Sequence, residues 1–235
     1  MENSNQSNPT ASGGESTLAP ADQEEHYPEP LSEDVAIGLK WVFWEQYEEP
    51  PGTNKKPTAE EYNKYMQKIG WFHDYISFWQ LWHTLPLKSL EQYFYDKASN
   101  QVPIFTVTKE GETSQKRISA LAIFQSGIKP QWEDPVNKEG SELRCMLPSL
   151  VYKMYNQIWE EIITDLVTKK IPHADEIAGI RIFDRSRNDV TIRLDVWLKF
   201  AHEHGEKTKA IRAYLVEKVF ESHGFQSDIQ YSGHK

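Results

Sequence analysis

The chain has 235 residues, with 26 Lys and Arg against 35 Asp and Glu, for a formal charge of −9. Eight of the acids (Glu2, Glu15, Asp22, Glu24, Glu25, Glu29, Glu33 and Asp34) lie in the first 39 residues, which hold no Lys or Arg; the remainder has 26 basic and 27 acidic residues, a net of −1. A near-neutral body of about 200 residues fits one domain with one core and lacks the basic excess of a general duplex-nucleic-acid binder. A single cysteine, Cys145, excludes an internal disulfide. The polar, acidic start resembles neither a secretory leader nor a membrane span, so a cytoplasmic protein, or one also found in the nucleus, is expected. Eight tryptophans exceed the needs of such a core, so some are expected to meet polar or charged groups.

Residues 1–34, rich in Ser, Asn, Pro, Gly and Glu, cannot bury enough surface to offset their ordering entropy and are expected to form a disordered acidic tail. Residues 35–235 form the expected domain. Leu39 to Trp44 reads as a first strand, and Glu48 to Pro57 as a loop. Asp74 can cap a helix in which Tyr75, Phe78, Trp79 and Trp82 recur at intervals of three and four. About 85–116 has no clean period and reads as a long insertion with a hairpin, followed by a strand over Ile118 to Phe124. A second helix starts near Pro148-Ser149 and runs through Val151, Met154, Tyr155, Ile158, Ile162 and Leu166. Ile180 and Ile182 alternate with Arg181 and Phe183; Val190, Ile192, Leu194 and Val196 alternate with Thr191, Arg193, Asp195 and Trp197; Arg185 to Asp189 is the turn. One face of that second strand is aliphatic, and the other presents Arg193 and Trp197. A third helix spans Glu206 to His223 and stops at Gly224, with Ile211, Leu215 and Val219 inward. This order predicts an α+β fold: a mostly antiparallel sheet with helices on one face.

Catalytic signatures are absent from the sequence: no Gly-x-Ser-x-Gly, no phosphate-binding Gly-rich loop, no His-Glu-x-x-His. His202-Glu203-His204 lacks a third ligand and reads as a solvated cap. Glu160-Glu161 are adjacent on a helix, do not face each other, and read as a solvated face. The informative stretch is Gly127-Ile128-Lys129-Pro130-Gln131-Trp132-Glu133-Asp134-Pro135-Val136-Asn137-Lys138. An indole beside a carboxylate can stack on a base while the carboxylate accepts two N–H donors from the Watson–Crick edge of guanine; alternatively Trp132 folds onto the core and the acids are solvated.

That loop, with Gly140 after it, resembles the signature loop of the eukaryotic translation initiation factor 4E family, the messenger-RNA cap-binding proteins. Glu61-Tyr62-Asn63-Lys64-Tyr65-Met66-Gln67-Lys68-Ile69-Gly70 followed by Phe78-Trp79 resembles, without a gap, the segment from the family's first cap-stacking aromatic to its dorsal Phe-Trp. Tyrosine at position 62 resembles the 4E-homologous branch. The similarity runs from Trp41 to His234. It implies a curved, mostly antiparallel sheet backed on its convex face by three long helices.

By resemblance, Tyr62 and Trp132 sandwich the cationic 7-methylguanine, gaining stacking plus a cation–π term of about 0.5–2 kcal/mol. Glu133 accepts from the base edge, and Trp197 touches the methyl group. Tyr65 is the alternative first ring, and a phenol should stack less strongly than an indole. Arg185, Arg187 and Arg193 would hold the triphosphate; an ungapped register would instead put Val190 and Leu194 in place of Arg193 and Trp197. Glu142 and Leu143 replace the family's usual Arg-Trp, with Arg144 on the same strand face as a substitute. On the opposite surface, Tyr75, Trp79, Glu160 and Glu161 match the site where partners lay a Tyr-x-x-x-x-Leu-hydrophobic helix. Trp159 accompanies Glu161 on that second dorsal helix. Val35-Ala36 replaces the usual His-Pro, Glu160 a leucine and Tyr75 a valine.

The resemblance implies a non-enzymatic monomer that needs no cofactor or metal. Its expected partners are capped messenger RNA, through 7-methylguanosine triphosphate, and scaffold or regulatory proteins of the initiation factor 4G or 4E-binding type. Its expected role is in translation initiation or its regulation. The alternative is an adaptor with a degraded cap pocket, acting through the dorsal surface. An enzyme acting on nucleotides would need a constellation that this sequence lacks.

Overall fold

A computed structural model describes residues 16–17, 36–52, 64–85, 88–96, 99–109, 111–147, 152–186 and 190–234. Its strands are β1 (Ser16–Thr17), β2 (Ala36–Glu48), β3 (Met66–Asp74), β4 (Phe105–Lys109), β5 (Glu112–Gln125), β6 (Ser141–Leu147), β7 (Ile177–Asp184), β8 (Ile192–Leu198) and β9 (Ile229–Gly233). The main sheet runs β3-β2-β5-β7-β8-β6-β9, every neighbour antiparallel. Strand β4 pairs with the first five residues of β5, and β1 joins β4 in parallel. Of the expected tail, only Ser16–Thr17 lies within the described residues.

Period-two patterning divides the sheet into two unlike faces. Ile192, Leu194, Val196 and Leu198 of β8 join Ile180, Ile182, Leu121, Ile123, Leu143 and Cys145 in the larger core. Trp197, between them in sequence, belongs to a smaller cluster on the other face with Val42, Trp44, Met66, Ala122, Phe124, Ile128 and Ala178.

The three longer helices cover the first face. In α1 (Tyr75–Thr84) the Asp74 carboxylate accepts from the Ser77 N–H at 2.7 Å while Ser77 Oγ accepts from the Asp74 N–H, a reciprocal cap, and Phe78 and Trp82 enter the core. A single turn, α2, covers Pro135–Lys138. Helix α3 (Tyr152–Val167) buries Tyr155, Ile158, Trp159, Ile162, Ile163 and Leu166. Helix α4 (Glu206–Tyr214) continues as a π turn over Leu215–Phe220 and a 3-10 turn over Glu221–His223 before Gly224, at φ 76°. The third helix is thus not uniformly α-helical as expected, although Ile211, Leu215 and Val219 do point inward. The α+β architecture of a helix-backed antiparallel sheet agrees with the sequence reading.

Two stretches differ from expectation. Met66–Asp74 forms a strand although its pattern has no clean alternation. As an edge strand paired only to β2 across a register shift at Phe43/Trp44, it leaves Ile69, Gly70 and Trp71 half-buried. The 85–116 insertion contains the expected hairpin, β4 to β5, with Gly111 at φ 82° in its turn. It is also part of the core. Leu90, Phe94 and Tyr95 are buried, the Leu90 N–H donates to Asn156 Oδ1 of α3 at 2.9 Å, and the Tyr95 N–H donates to buried Asp184 Oδ2 at 3.1 Å.

Candidate functional site

The face away from the helices can be built row by row from the strand register. Val42, Phe124, Gly179, Trp197, Glu142 and Ser232 are successive cross-strand partners. The next row is Trp44, Ala122, Arg181, Asp195 and Arg144, and the one beyond it Gln46, Ala120, Phe183, Arg193 and Met146. An aromatic row therefore lies beside two rows bearing arginines. Gly179 is needed in the first: a Cβ there would overlap the Phe124 ring. Phe124 meets Trp197 edge-on, with centroids 5.5 Å apart.

Past the end of β5, the Trp132 loop is fastened by two side chains. Asp134 accepts from the Lys129 N–H at 2.9 Å and the Val136 N–H at 3.0 Å, capping α2. Buried Asn137 donates through Nδ2 to the carbonyls of Lys129 (2.7 Å) and Gln131 (2.8 Å). With the loop's backbone groups held in this way, Trp132 and Glu133 are left at its tip. Trp132 is 54% exposed, so it does not fold onto the core, and Glu133 is also exposed. Asp134 is occupied as a cap, which makes Glu133 the carboxylate placed to meet a ligand. One flank of Trp132 is stacked by His234, with centroids 6.0 Å apart and planes at 26°.

Three of the arginines, Arg144, Arg181 and Arg193, are not free cations. Asp195, fully buried, accepts from Arg181 at 3.1 Å and Arg193 at 2.8 Å through one oxygen. Arg144 is paired with buried Glu142. Arg181, Arg185 and Arg193 surround the Phe183 ring at 5.4, 5.2 and 5.4 Å. Arg185 is exposed; its partial burial, and then the neighbouring Arg193 charge, hold its pKa below the usual arginine value.

The candidate residues thus fall into three groups. Trp132, Glu133, Arg144, Arg185 and Arg193 share the open side of the sheet, with Arg193 and Arg144 already engaged by carboxylates. Trp197 lies on that side too, but the expectation that it presents its ring to a ligand is corrected. It is 1% exposed, covered by Phe124 and by His234 at 4.8 Å. Tyr62 and Arg187 lie outside the described residues. Tyr65, the alternative ring, is half-buried, with the Lys116 ammonium 4.0 Å from its centroid. On the helix side, Trp79 is 38% exposed and stacked with His83, and Ile76 is exposed beside it, while Tyr75 is half-buried. Glu160 is exposed, Glu161 is paired with His223 at 2.6 Å, and Trp159 is fully buried in the core.

Sequence reasoning missed Arg181, Asp195 and His234 as site-face groups, and placed Glu142 there only as a lost phosphate ligand, not as the buried partner of Arg144. The alternation that exposed Arg193 also applied to Arg181, Asp195 and Phe183. His234, beyond the end of a short strand, carried no periodic signal. Cys145 offers no nucleophile: it is buried, which pushes its thiol up to about 12, and its Sγ contacts Ser227 Oγ at 2.6 Å. Among the described residues, no group of His, Cys, Asp and Glu is arranged to hold a metal ion, and no helix is long and apolar enough to cross a membrane.

These features define an α+β protein whose helix-backed sheet carries, on its open side, an exposed indole-carboxylate tip beside an arginine-rich face. The chain belongs to the eukaryotic initiation factor 4E family, whose model matches residues 37–235. Among curated proteins it is similar to eukaryotic translation initiation factor NCBP of Oryza sativa subsp. japonica, 30% identical over 84 residues, a match covering 36% of this chain and 34% of that protein. It is 24% identical over 163 residues to eukaryotic translation initiation factor 4E-3 of Arabidopsis thaliana, covering 64% of this chain and 65% of that one. The chain thus spans about a third of the rice protein it matches. Among solved structures it shares its fold with C. elegans eIF4E-3, in a complex with the 4E-binding protein Mextli and a cap analogue, at TM-score 0.58 and 17% identity over 85% of this chain and 92% of that one. Ascaris suum eIF4E-3 in complex with an m2,2,7G cap gives TM-score 0.58 at 15% identity, over 86% and 92%.

Proposed function

We propose that this protein is a non-enzymatic binder of the 7-methylguanosine cap of messenger RNA that acts in translation initiation or its regulation. The observation that carries this reading is the fastened loop whose tip holds an exposed Trp132 beside an exposed, unengaged Glu133. Methylation at N7 makes guanine a cation, which strengthens its attraction to an indole face. The same methylated base keeps its N1–H and exocyclic amine, two donors that one carboxylate accepts. Glu133 is thereby assigned to guanine recognition and Trp132 to stacking; by resemblance the opposing ring is Tyr62. Arg185 is the cation placed for phosphate, with Arg193 and Arg144 available if their carboxylates release them. Two of the solved neighbours hold a cap or cap analogue, which supports the same assignment.

A second surface is proposed for protein partners. The exposed strip of α1, Ile76 and Trp79, suits the apolar side of a Tyr-x-x-x-x-Leu-hydrophobic helix, and one solved neighbour is bound to a 4E-binding protein. Tryptophan-fluorescence titration with 7-methyl-GTP, GTP and 7-methyl-ATP tests the first assignment. The methylated guanine nucleotide should bind at least about tenfold more tightly than either of the others. Equal affinity for 7-methyl-GTP and GTP would remove the cap reading and leave the adaptor one.

A further inference from the structure

Resting on the cap-binding assignment, we propose that the segment following β8 and α4 supplies an intramolecular occupant of the base slot: the His234 imidazole sits where the methylated guanine would go. By resemblance the base would lie against both the face of Trp132 and the ring of Trp197, the second of which is open to it only once the side chain covering it in this structure is withdrawn. In this structure the ring that touches both is His234, stacked on Trp132 at 6.0 Å and 26° and tilted against Trp197 at 4.8 Å. Its side chain is 1% exposed, and Trp197, also 1% exposed, has no surface left for a ligand while the imidazole is seated.

Strand pairing explains why this residue arrives there. Gly233 pairs with Ser141 and Ser232 with Glu142, so His234, two residues past Ser232, points to the same face as Glu142 and Trp197. Its N–H donates to the Gly140 carbonyl at 3.2 Å, extending β9 by one step. The imidazole Nδ1 meets the Asn137 carbonyl at 2.7 Å, and a carbonyl only accepts, so Nδ1 carries the hydrogen. Asn137 also fastens the Trp132 loop, so one residue holds both the stacking ring and its internal occupant.

The seat is incompletely satisfied. His234 Nε2 lies 4.0 Å from Glu142 Oε1, beyond hydrogen-bonding distance, and His234 Nε2, Glu142 Oε2 and Trp197 Nε1 are all buried without a hydrogen-bond partner. Buried polar groups without partners favour any state that hydrates or pairs them. An imidazole held by one stacked ring, one tilted ring and one side-chain hydrogen bond, with three orphaned polar atoms at its seat, is one that a charged base can displace. The ligand's apparent affinity is then its intrinsic affinity reduced by the fraction of molecules in which His234 has swung out.

The experiment measures 7-methyl-GTP affinity by fluorescence titration for the full chain, for His234→Ala and for His234→Phe. His234 covers Trp197 at the rim of the smaller cluster, so urea unfolding is measured for both variants and binding is compared under conditions in which each is folded. Emptying the slot should tighten binding roughly three- to tenfold, whereas a phenyl ring, which still stacks on Trp132, should give no gain over the parent protein. In the NMR spectrum of the parent protein, the imidazole protons should be ring-current shifted without ligand and lose that shift when 7-methyl-GTP is added. Unchanged or weaker binding by His234→Ala would overturn the proposal and leave cap binding standing, since His234 would then be a wall behind Trp132. If neither the parent nor His234→Ala takes the nucleotide, the cap assignment itself fails, and with it the slot that His234 would occupy.

Discussion

The same strands build two faces by different means. On the helix side, aliphatic and aromatic side chains from β2, β5, β6, β7 and β8 meet Phe78, Trp82, Trp159 and Ile211 in one continuous core. On the other side a small aromatic cluster adjoins buried charges: Asp195 and Glu142 are fully buried, and Arg181 is 6% exposed. A buried ion pair adds little net stability over an apolar pair of the same shape, but removing one member is expensive. The helix side therefore supplies stability through area, whereas the open side fixes positively charged groups in place through mutual pairing and leaves Trp132 and Glu133 exposed.

Breaking the charged row should have the largest effect. Asp195→Ala leaves Arg181 and Arg193 without their shared carboxylate and should cost about 3–5 kcal/mol in urea unfolding, similar to Trp159→Ala in the opposite core. The triple change Arg181→Met, Arg193→Met and Asp195→Leu, which removes the carboxylate together with both of its partners, should be far milder, within about 1–2 kcal/mol of the parent. If the triple variant is as damaged as Asp195→Ala, the charges contribute stability directly and the contrast between the faces is wrong. Gly179→Ala, which drives a methyl into the Phe124 ring, should cost about 1–3 kcal/mol and disturb the packing of Trp197 beneath His234.

The Trp132 loop sharpens the contrast from the other direction. Trp132→Ala should change unfolding free energy by less than about 0.5 kcal/mol, because the ring is more exposed than buried. It should nevertheless lower 7-methyl-GTP affinity by at least about tenfold, since stacking on an aromatic ring contributes about 1–3 kcal/mol per base. Glu133→Ala should narrow the preference for guanine over adenine by about 1.5–3 kcal/mol with stability unaltered. A large stability loss in either variant would show that the loop is part of the packing rather than a presented tip.

How much of this was legible in the sequence follows from the physics of each face. The helix-side core could be read because β8 and α3 repeat apolar residues with periods of two and about 3.6. The tip could be read from composition: an indole and carboxylates in a polar loop between strands. The state of the arginines could not. Arg193 reads as a free cation although Asp195, two residues on in β8, shares its face, and only the register against β7 brings Arg181 to the same carboxylate. Trp197 was likewise assigned to the correct face, but its burial depends on Phe124 from β5 and on His234, 37 positions later in the chain. Strand β3 was missed because an edge strand with a register shift has no clean period.

A modest effect on the fold is expected from α1. Phe78 and Trp82 point into the core, while Trp79, one residue on from Phe78, lies on the outer side and stacks on His83 at 5.7 Å, so its removal takes little from the core. Trp79→Ala should cost no more than about 1 kcal/mol of stability and leave 7-methyl-GTP binding unchanged, because α1 lies on the face opposite Trp132 and the arginine rows. Binding of a synthetic Tyr-x-x-x-x-Leu-hydrophobic helix, followed by calorimetry, should weaken by about 2 kcal/mol or more, the usual cost of truncating a central interface tryptophan. Exposed Glu160 gives this surface a negative charge that a leucine would not, so a peptide with Lys or Arg near that position should bind better than its neutral counterpart, and Glu160→Leu should erase the difference. Peptide binding that survives Trp79→Ala would place the partner elsewhere on the molecule; loss of nucleotide binding in the same variant would mean that the two faces are coupled through the sheet.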